Sequence, residues 1–216
     1  MARLRVAVLI SGRGSNLQSL LDACERPDFP AEIALVISNR ADAGGLQRAE
    51  RAGVPRVVID HRAYPDRETF DAAIDRALRD ADIALVCLAG FMRLLTKAFV
   101  TTWQGRLINI HPSLLPSFKG MHTHAQALEA GVKIHGCTVH FVTPDLDAGP
   151  ILAQAAVPVC PDDTEAVLAA RVLTAEHRLY PQALKRLAEK RARLEGDRVI
   201  LDDDFNADQI LLNPAD

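Results

Sequence analysis

Five strand-length apolar runs, at residues 5–10, 33–38, 56–59, 83–88 and 107–110, recur along the chain with segments of helical period between most of them. That alternation constrains the fold more than any other feature, because runs with period 2 or continuous burial separated by amphipathic helices are what βαβ units look like. The first helix begins near Ser15, aligns Leu17, Leu20, Leu21 and Cys24 on one stripe, and ends before Pro27. A second spans about 45–52, with Gly53 at its stop and Pro55 beyond. A third follows Asp66 as N-cap and turns Phe70, Ile74, Ala77, Leu78 and Ala81 toward the sheet. The character then changes: "HGCTVHFV" and "PILAQAAVPV", joined by "TPDLDAG", read as an antiparallel hairpin. The expected fold class is therefore α/β, a mixed, mostly parallel sheet flanked by helices, with an antiparallel hairpin in the C-terminal half. A long helix is expected over about 164–195, bent at Pro181 and stopped by Gly196, before a last edge strand at "RVILDD".

With 216 residues, 49% of them hydrophobic, and no linker, repeat or low-complexity stretch, a single domain over 1–216 is expected. The net charge of -3, with both signs interspersed, offers no basic footprint for nucleic acid. The four cysteines form no CxxC and mostly sit in apolar segments, as reduced thiols do. No apolar stretch reaches membrane-spanning length, and the N-terminal run is too short for a signal peptide and ends in a glycine turn. The expectation is a cytoplasmic protein with small-molecule partners, neither nucleic acid nor membrane, as monomer or homodimer.

Two stretches carry chemistry. "SGRGSN" places Gly12, Arg13, Gly14, Ser15 and Asn16 between the first strand and the first helix. Small residues there let backbone N–H groups approach an anion at a positive helix terminus. The third glycine of a dinucleotide fingerprint and the GK[ST] of a Walker loop are both absent, so the motif reads as a phosphate cradle of neither kind, or as a plain tight turn. In "INIH", Asn109 and His111 alternate with Ile108 and Ile110 and so share one face of a strand. Pro112 ends the strand and Pro116 stiffens the loop after it. A lone histidine would ordinarily be a satisfied core residue, but an amide beside an imidazolium supplies the two donors that a developing oxyanion needs. Asp145 and Asp147 sit in the hairpin loop, where turn chemistry alone explains an aspartate. A carboxylate beside His111 would favour its charged form and help remove a proton from an attacking amine.

The blocks "VLISGRGSNLQ", "SNRADAGGLQRAERAGVP", "LAGFMRLLTKAFV", "NIHPSLLPSFKGMHTHAQALEAG", "GCTVHFVTPDLDAGPILAQAAVPV" and "RVLTAEHRLYP", in that order, resemble the folate-dependent formyltransferase family, in particular its phosphoribosylglycinamide formyltransferases. The resemblance implies a Rossmann-like fold and formyl transfer from 10-formyltetrahydrofolate to the amine of glycinamide ribonucleotide, without metal. It gives residues 1–105 to a phosphate-binding half, 106–195 to a catalytic and folate half, and 196–216 to a terminal strand and tail. Asn109, His111 and Asp147 match the catalytic positions. Gly12, Arg13, Gly14, Ser15, Asn16 and Glu176 match the ribonucleotide side, although Arg13 departs from the asparagine common there. Arg67, Met92, Arg93, Leu94 and Leu95, with Asn109, Thr143, Pro144, Asp145, Leu146 and Asp147, match the folate side, and Phe91 is a further wall. Within the family, a methionyl-tRNA formyltransferase would need a further C-terminal domain and a basic face, and a formyltetrahydrofolate hydrolase an added N-terminal domain; neither is expected here. A metal or nucleotide-sensing module using His122, His124, His135 and His140 is a rival from another class, but "HTH" gives a poor ligand spacing and nothing completes a zinc set.

Overall fold

The computed structural model describes residues 2–202 and Asn213. The five apolar runs form β1 (Leu4–Ile10), β2 (Ala31–Ser38), β3 (Arg56–Val58), β4 (Leu85–Leu88) and β5 (Leu107–His111). They lie in the order β3-β2-β1-β4-β5 with every neighbouring pair parallel. The hairpin β6 (Ile134–Phe141) and β7 (Ile151–Pro158) adds two antiparallel strands beside β5, completing a seven-stranded sheet. The chain moves outward from β1 to β3 and returns to β4 on the other side. That reversal opens a crevice beyond the carboxyl ends of β1 and β4, where ligands of open α/β sheets bind.

Both faces of the sheet are covered, and the period of 2 decides which side chain goes where. Val6, Val8, Ile10, Ile108 and Ile110 pack in one layer with residues of α1 (Ser15–Glu25), α2 (Gly45–Arg51) and α6 (Glu165–Ala188). Ala7, Leu9 and Leu107 point the other way, into a layer with Phe70, Ile74 and Leu78 of α3 (Arg67–Asp80) and with Phe99 and Trp103 in and just after α4 (Lys97–Thr102). Asn109 and His111 thus continue the face that Leu107 begins. Asp66 caps α3 as expected, its carboxylate accepting from the Thr69 amide at 2.8 Å. Two short helices, α4 and α5 (Thr123–Glu129), have too few turns to show a period in the sequence. No described helix is long and apolar enough to cross a membrane.

The C-terminal expectation needs correction. The helix α6, capped by Thr164 and containing Pro181, ends at Ala188 rather than near Glu195. Lys190 adopts a left-handed backbone, φ 59°, which an α-helix cannot continue through. Residues Ala192–Glu195 then form β8, paired antiparallel with β9 (Arg198–Leu201) across the two-residue turn Gly196-Asp197. Gly196, with φ 58°, is therefore a hairpin residue and not a helix stop. The "RVILDD" strand belongs to this separate two-stranded sheet, not to an edge of the main one. The rest of the tail, apart from Asn213, lies outside the described residues.

Candidate active site

The centre is built where β5 meets β6. Antiparallel pairing sets Asn109 opposite His140 and His111 opposite Thr138. From the β6–β7 loop Asp147 returns across this face, and its Oδ2 lies 3.5 Å from His111 Nδ1. The other His111 nitrogen, Nε2, is 3.0 Å from the Phe118 carbonyl, which can only accept; Nε2 therefore carries a hydrogen. The Nδ1 side of the ring faces the Asp147 carboxylate. His111 and Asp147 side chains are 6% and 9% exposed, so this pair works at reduced dielectric.

His140 completes the cluster. Its Nδ1 donates to the Phe141 carbonyl at 3.0 Å, leaving Nε2 as the acceptor that faces Asn109 Nδ2 at 3.3 Å. Burial pushes the His140 pKa down, against the Phe141 carbonyl and the Asp147 charge. A neutral His140 fits its acceptor role, and its 3.9 Å approach to Asp147 Oδ1 is not a hydrogen bond. The Asn109 amide is thereby oriented with one N–H spent on His140 and one left over.

The loops that carry these groups are tied down from below. Thr138 Oγ1 donates to the Ser113 carbonyl at 2.7 Å and accepts from the Leu115 amide at 3.0 Å; Gln154 Nε2 reaches the Leu115 carbonyl at 2.9 Å. The Asp147 backbone is left-handed, φ 47°, and its Oδ2 also accepts from the Gly120 amide at 2.9 Å. At Gly149 a Cβ would sit 1.8 Å from the Phe141 carbonyl oxygen, so the close return of this loop requires glycine.

On the phosphate side, Gly14 precedes α1 with φ 72° and packs against the start of α2. A Cβ there would lie 2.5 Å from Gly45 Cα, so the glycine serves backbone geometry as well as ligand access. Gly12 and Arg13 are exposed, Ser15 and Asn16 half-buried. The buried Glu176 of α6 accepts from Asn16 Nδ2 at 2.7 Å, which joins the long helix to this loop. Burial raises the Glu176 pKa, partly opposed by that hydrogen bond.

On the other side of the crevice, Met92 and Leu94 are 69% and 59% exposed, whereas Phe91 and Leu95 pack onto the core. Arg93 is exposed, as are Pro144, Asp145 and Leu146, while Thr143 is half-buried. Arg67 is exposed at the start of α3; one turn on, Asp71 accepts from the Thr96 amide at 2.6 Å and ties α3 to the end of segment 92–95. The structure therefore gathers Asn109, His111 and Asp147 at one point and Asn16 with Glu176 at another.

Sequence reasoning missed His140 as a member of the site, although it is an inward-facing polar residue on a buried strand. The rival histidine set is dispersed. His140 holds Asn109, His122 precedes α5, and His124 and His135 meet edge to face with ring centroids 5.4 Å apart. Among the described residues no group of three or more His, Cys, Asp or Glu side chains is arranged to hold a metal ion.

Known proteins share this arrangement of chain. The family described as formyl transferase matches residues 4–184. The phosphoribosylglycinamide formyltransferase of Escherichia coli (strain K12) is 45% identical over 199 residues, covering 92% of this chain and 94% of that protein. The human trifunctional purine biosynthetic protein adenosine-3 is 55% identical over 192 residues, of which this chain spans only 19% of the length. A crystal structure of glycinamide ribonucleotide transformylase 1 from Symbiobacterium toebii superposes with a TM-score of 0.90 at 52% identity, covering 92% of this chain and 94% of that one. By sequence and by fold, the chain belongs to the formyl transferase family.

Proposed function

We propose that the protein transfers the formyl group of 10-formyltetrahydrofolate to the amine of glycinamide ribonucleotide, giving N-formylglycinamide ribonucleotide and tetrahydrofolate. The observation that carries this reading is the convergence of Asn109, His111 and Asp147 on one small, mostly buried centre. The amine lone pair attacks the formyl carbon, a C–N bond forms, and the carbonyl oxygen takes up negative charge. The free N–H of Asn109 donates to that oxygen, and His111 joins it by exchanging the Phe118 carbonyl for the oxyanion. Asp147, against His111 Nδ1, orients the imidazole and accepts the proton lost by the amine. Collapse then breaks the bond to N10 of the folate, which leaves carrying the proton that Asp147 took from the amine, and the carboxylate is regenerated.

Each substrate has a matching wall. The ribose phosphate suits the loop from Gly12 to Asn16 at the α1 terminus, where Gly12 and Arg13 are exposed, and Glu176, held by Asn16, suits the amine end. The folate is assigned to segments 92–95 and 143–147 and to Arg67, the positions that the family resemblance matches to it, where exposed Met92, Leu94 and Leu146 offer apolar surface. The same reading places the enzyme in the cytoplasm, where buried thiols such as Cys24, Cys87 and Cys137 stay reduced. Following tetrahydrofolate release with glycinamide ribonucleotide as acceptor tests it. Turnover that depends on the acceptor supports the assignment, and folate hydrolysis indifferent to the acceptor overturns it.

A further inference from the structure

The acceptor loop and the folate-side segment are joined by one hydroxyl. Ser11, the last residue before the glycines of the phosphate loop, is 6% exposed, and its hydroxyl is taken up by protein partners. Its Oγ accepts from the Met92 amide at 2.7 Å, in the first residue of the segment matched to folate. The hydroxyl hydrogen goes to Asn39 Oδ1 at 2.6 Å, and Asn39, 2% exposed, is itself held by His61 through Nδ2 at 3.2 Å. A hydroxyl with its hydrogen committed to Asn39 has its lone pairs fixed, so the direction from which it accepts the Met92 N–H is fixed too. The far end of the same segment is pinned by Asp71 to the Thr96 amide. Met92 and Leu94, on the segment so held, are both exposed.

We propose that Ser11 is a positioning residue that sets residues 92–95 in register with the phosphate loop, so that the donor slot is built on the acceptor's cradle. It touches neither substrate and acts through the Met92 amide. The inference rests on the functional reading above, which assigns residues 92–95 to folate. Ser11→Ala deletes one oxygen, leaves the loop backbone unchanged, and strands the Met92 N–H.

Steady-state kinetics of the wild-type protein and of Ser11→Ala, with each substrate varied in turn, test this. The expected result is a KM for 10-formyltetrahydrofolate raised about five- to thirtyfold, as for a stranded partly buried donor, with KM for glycinamide ribonucleotide within about twofold. Ser11→Thr, which keeps the hydroxyl, should restore most of the folate KM. Equal rises in both KM values, as a general loss of structure would give, overturn the proposal, and so does no change in either. Amide hydrogen exchange in the unliganded wild-type protein needs no variant: Met92 should be protected despite its exposed side chain, and exchange at the rate of an open loop overturns it. Should the wild-type protein release no tetrahydrofolate, the functional reading fails by itself, while Met92 exchange still reports on the hydrogen bond.

Discussion

His111 Nδ1 lies 3.5 Å from Asp147 Oδ2, and the same oxygen holds the Gly120 amide at 2.9 Å. One carboxylate therefore serves the imidazole and the loop that follows β5 together. Asp147→Asn keeps the shape and an oxygen that can still accept from the Gly120 amide, but removes the negative charge beside His111 and the base that takes the amine proton. Turnover should fall about 10²-fold or more for Asp147→Asn and for His111→Ala, with melting temperatures little changed. A tetrahydrofolate-release assay reads this, and near-wild-type rates in either variant would refute the central assignment.

Glu176 tests the other wall. It is buried against Asn16, and Glu176→Gln preserves that contact in shape while removing the charge. Its KM for glycinamide ribonucleotide should rise about tenfold, as for loss of a charge-assisted contact, with KM for the folate unchanged. Initial-rate measurements in both substrates separate the two.

Gly149→Ala should damage the site without touching a reacting group. The new Cβ meets a backbone oxygen, which cannot swing away, so the β6–β7 loop must shift and carry Asp147 with it. A loss of about 2 kcal/mol in unfolding free energy is expected together with a fall in kcat. Urea titration and the turnover assay give the two numbers.

Acid should weaken the fold through histidines. Burial pushes the His135 pKa to about 4, His124 adds to the shift, and the Pro112 carbonyl opposes it. Burial likewise lowers His124, His140 and His177. Each folded value lies below the unfolded one of about 6.5, so this stability is complete above pH 6.5 and is lost as pH falls toward the folded value. The raised Glu176 works in the opposite sense, with stability lost as pH rises from the unfolded value through the folded one. For His135 alone the loss between pH 7 and pH 5 is about 2 kcal/mol. His135→Phe should flatten the dependence by about that amount in urea melts at the two pH values; an unaltered slope would assign the effect elsewhere.

The parts of the molecule legible in the sequence were those with a period. Ile108 and Ile110 alternating with Asn109 and His111 gave the strand and its polar face, and Asp66, Gly53 and Pro27 marked helix ends by local chemistry. What the period could not reach was contact between distant segments. Nothing in "TPDLDAG" says that Asp147 returns over β5 instead of staying in its turn; that depends on the backbone approach at Gly149. His140 was passed over because a histidine on an apolar strand looks alike whether it packs or holds an amide, and only the register Asn109 to His140 distinguishes the two. At the C-terminus, "ARLE-GD-RVIL" is a hairpin pattern with a two-residue Gly-Asp turn, obscured because Ala, Arg, Leu and Glu are also good helix formers.

The left-handed backbone at Asp147 sets folding and chemistry against each other at a single position. Glycine would adopt φ 47° without strain, and asparagine tolerates it at least as well as aspartate, but neither brings a carboxylate to His111. A library randomised at residue 147 and sorted for soluble expression should enrich glycine and asparagine. Sorted for growth without added purines, the same library should return aspartate, so the ranking of variants depends on what the selection rewards.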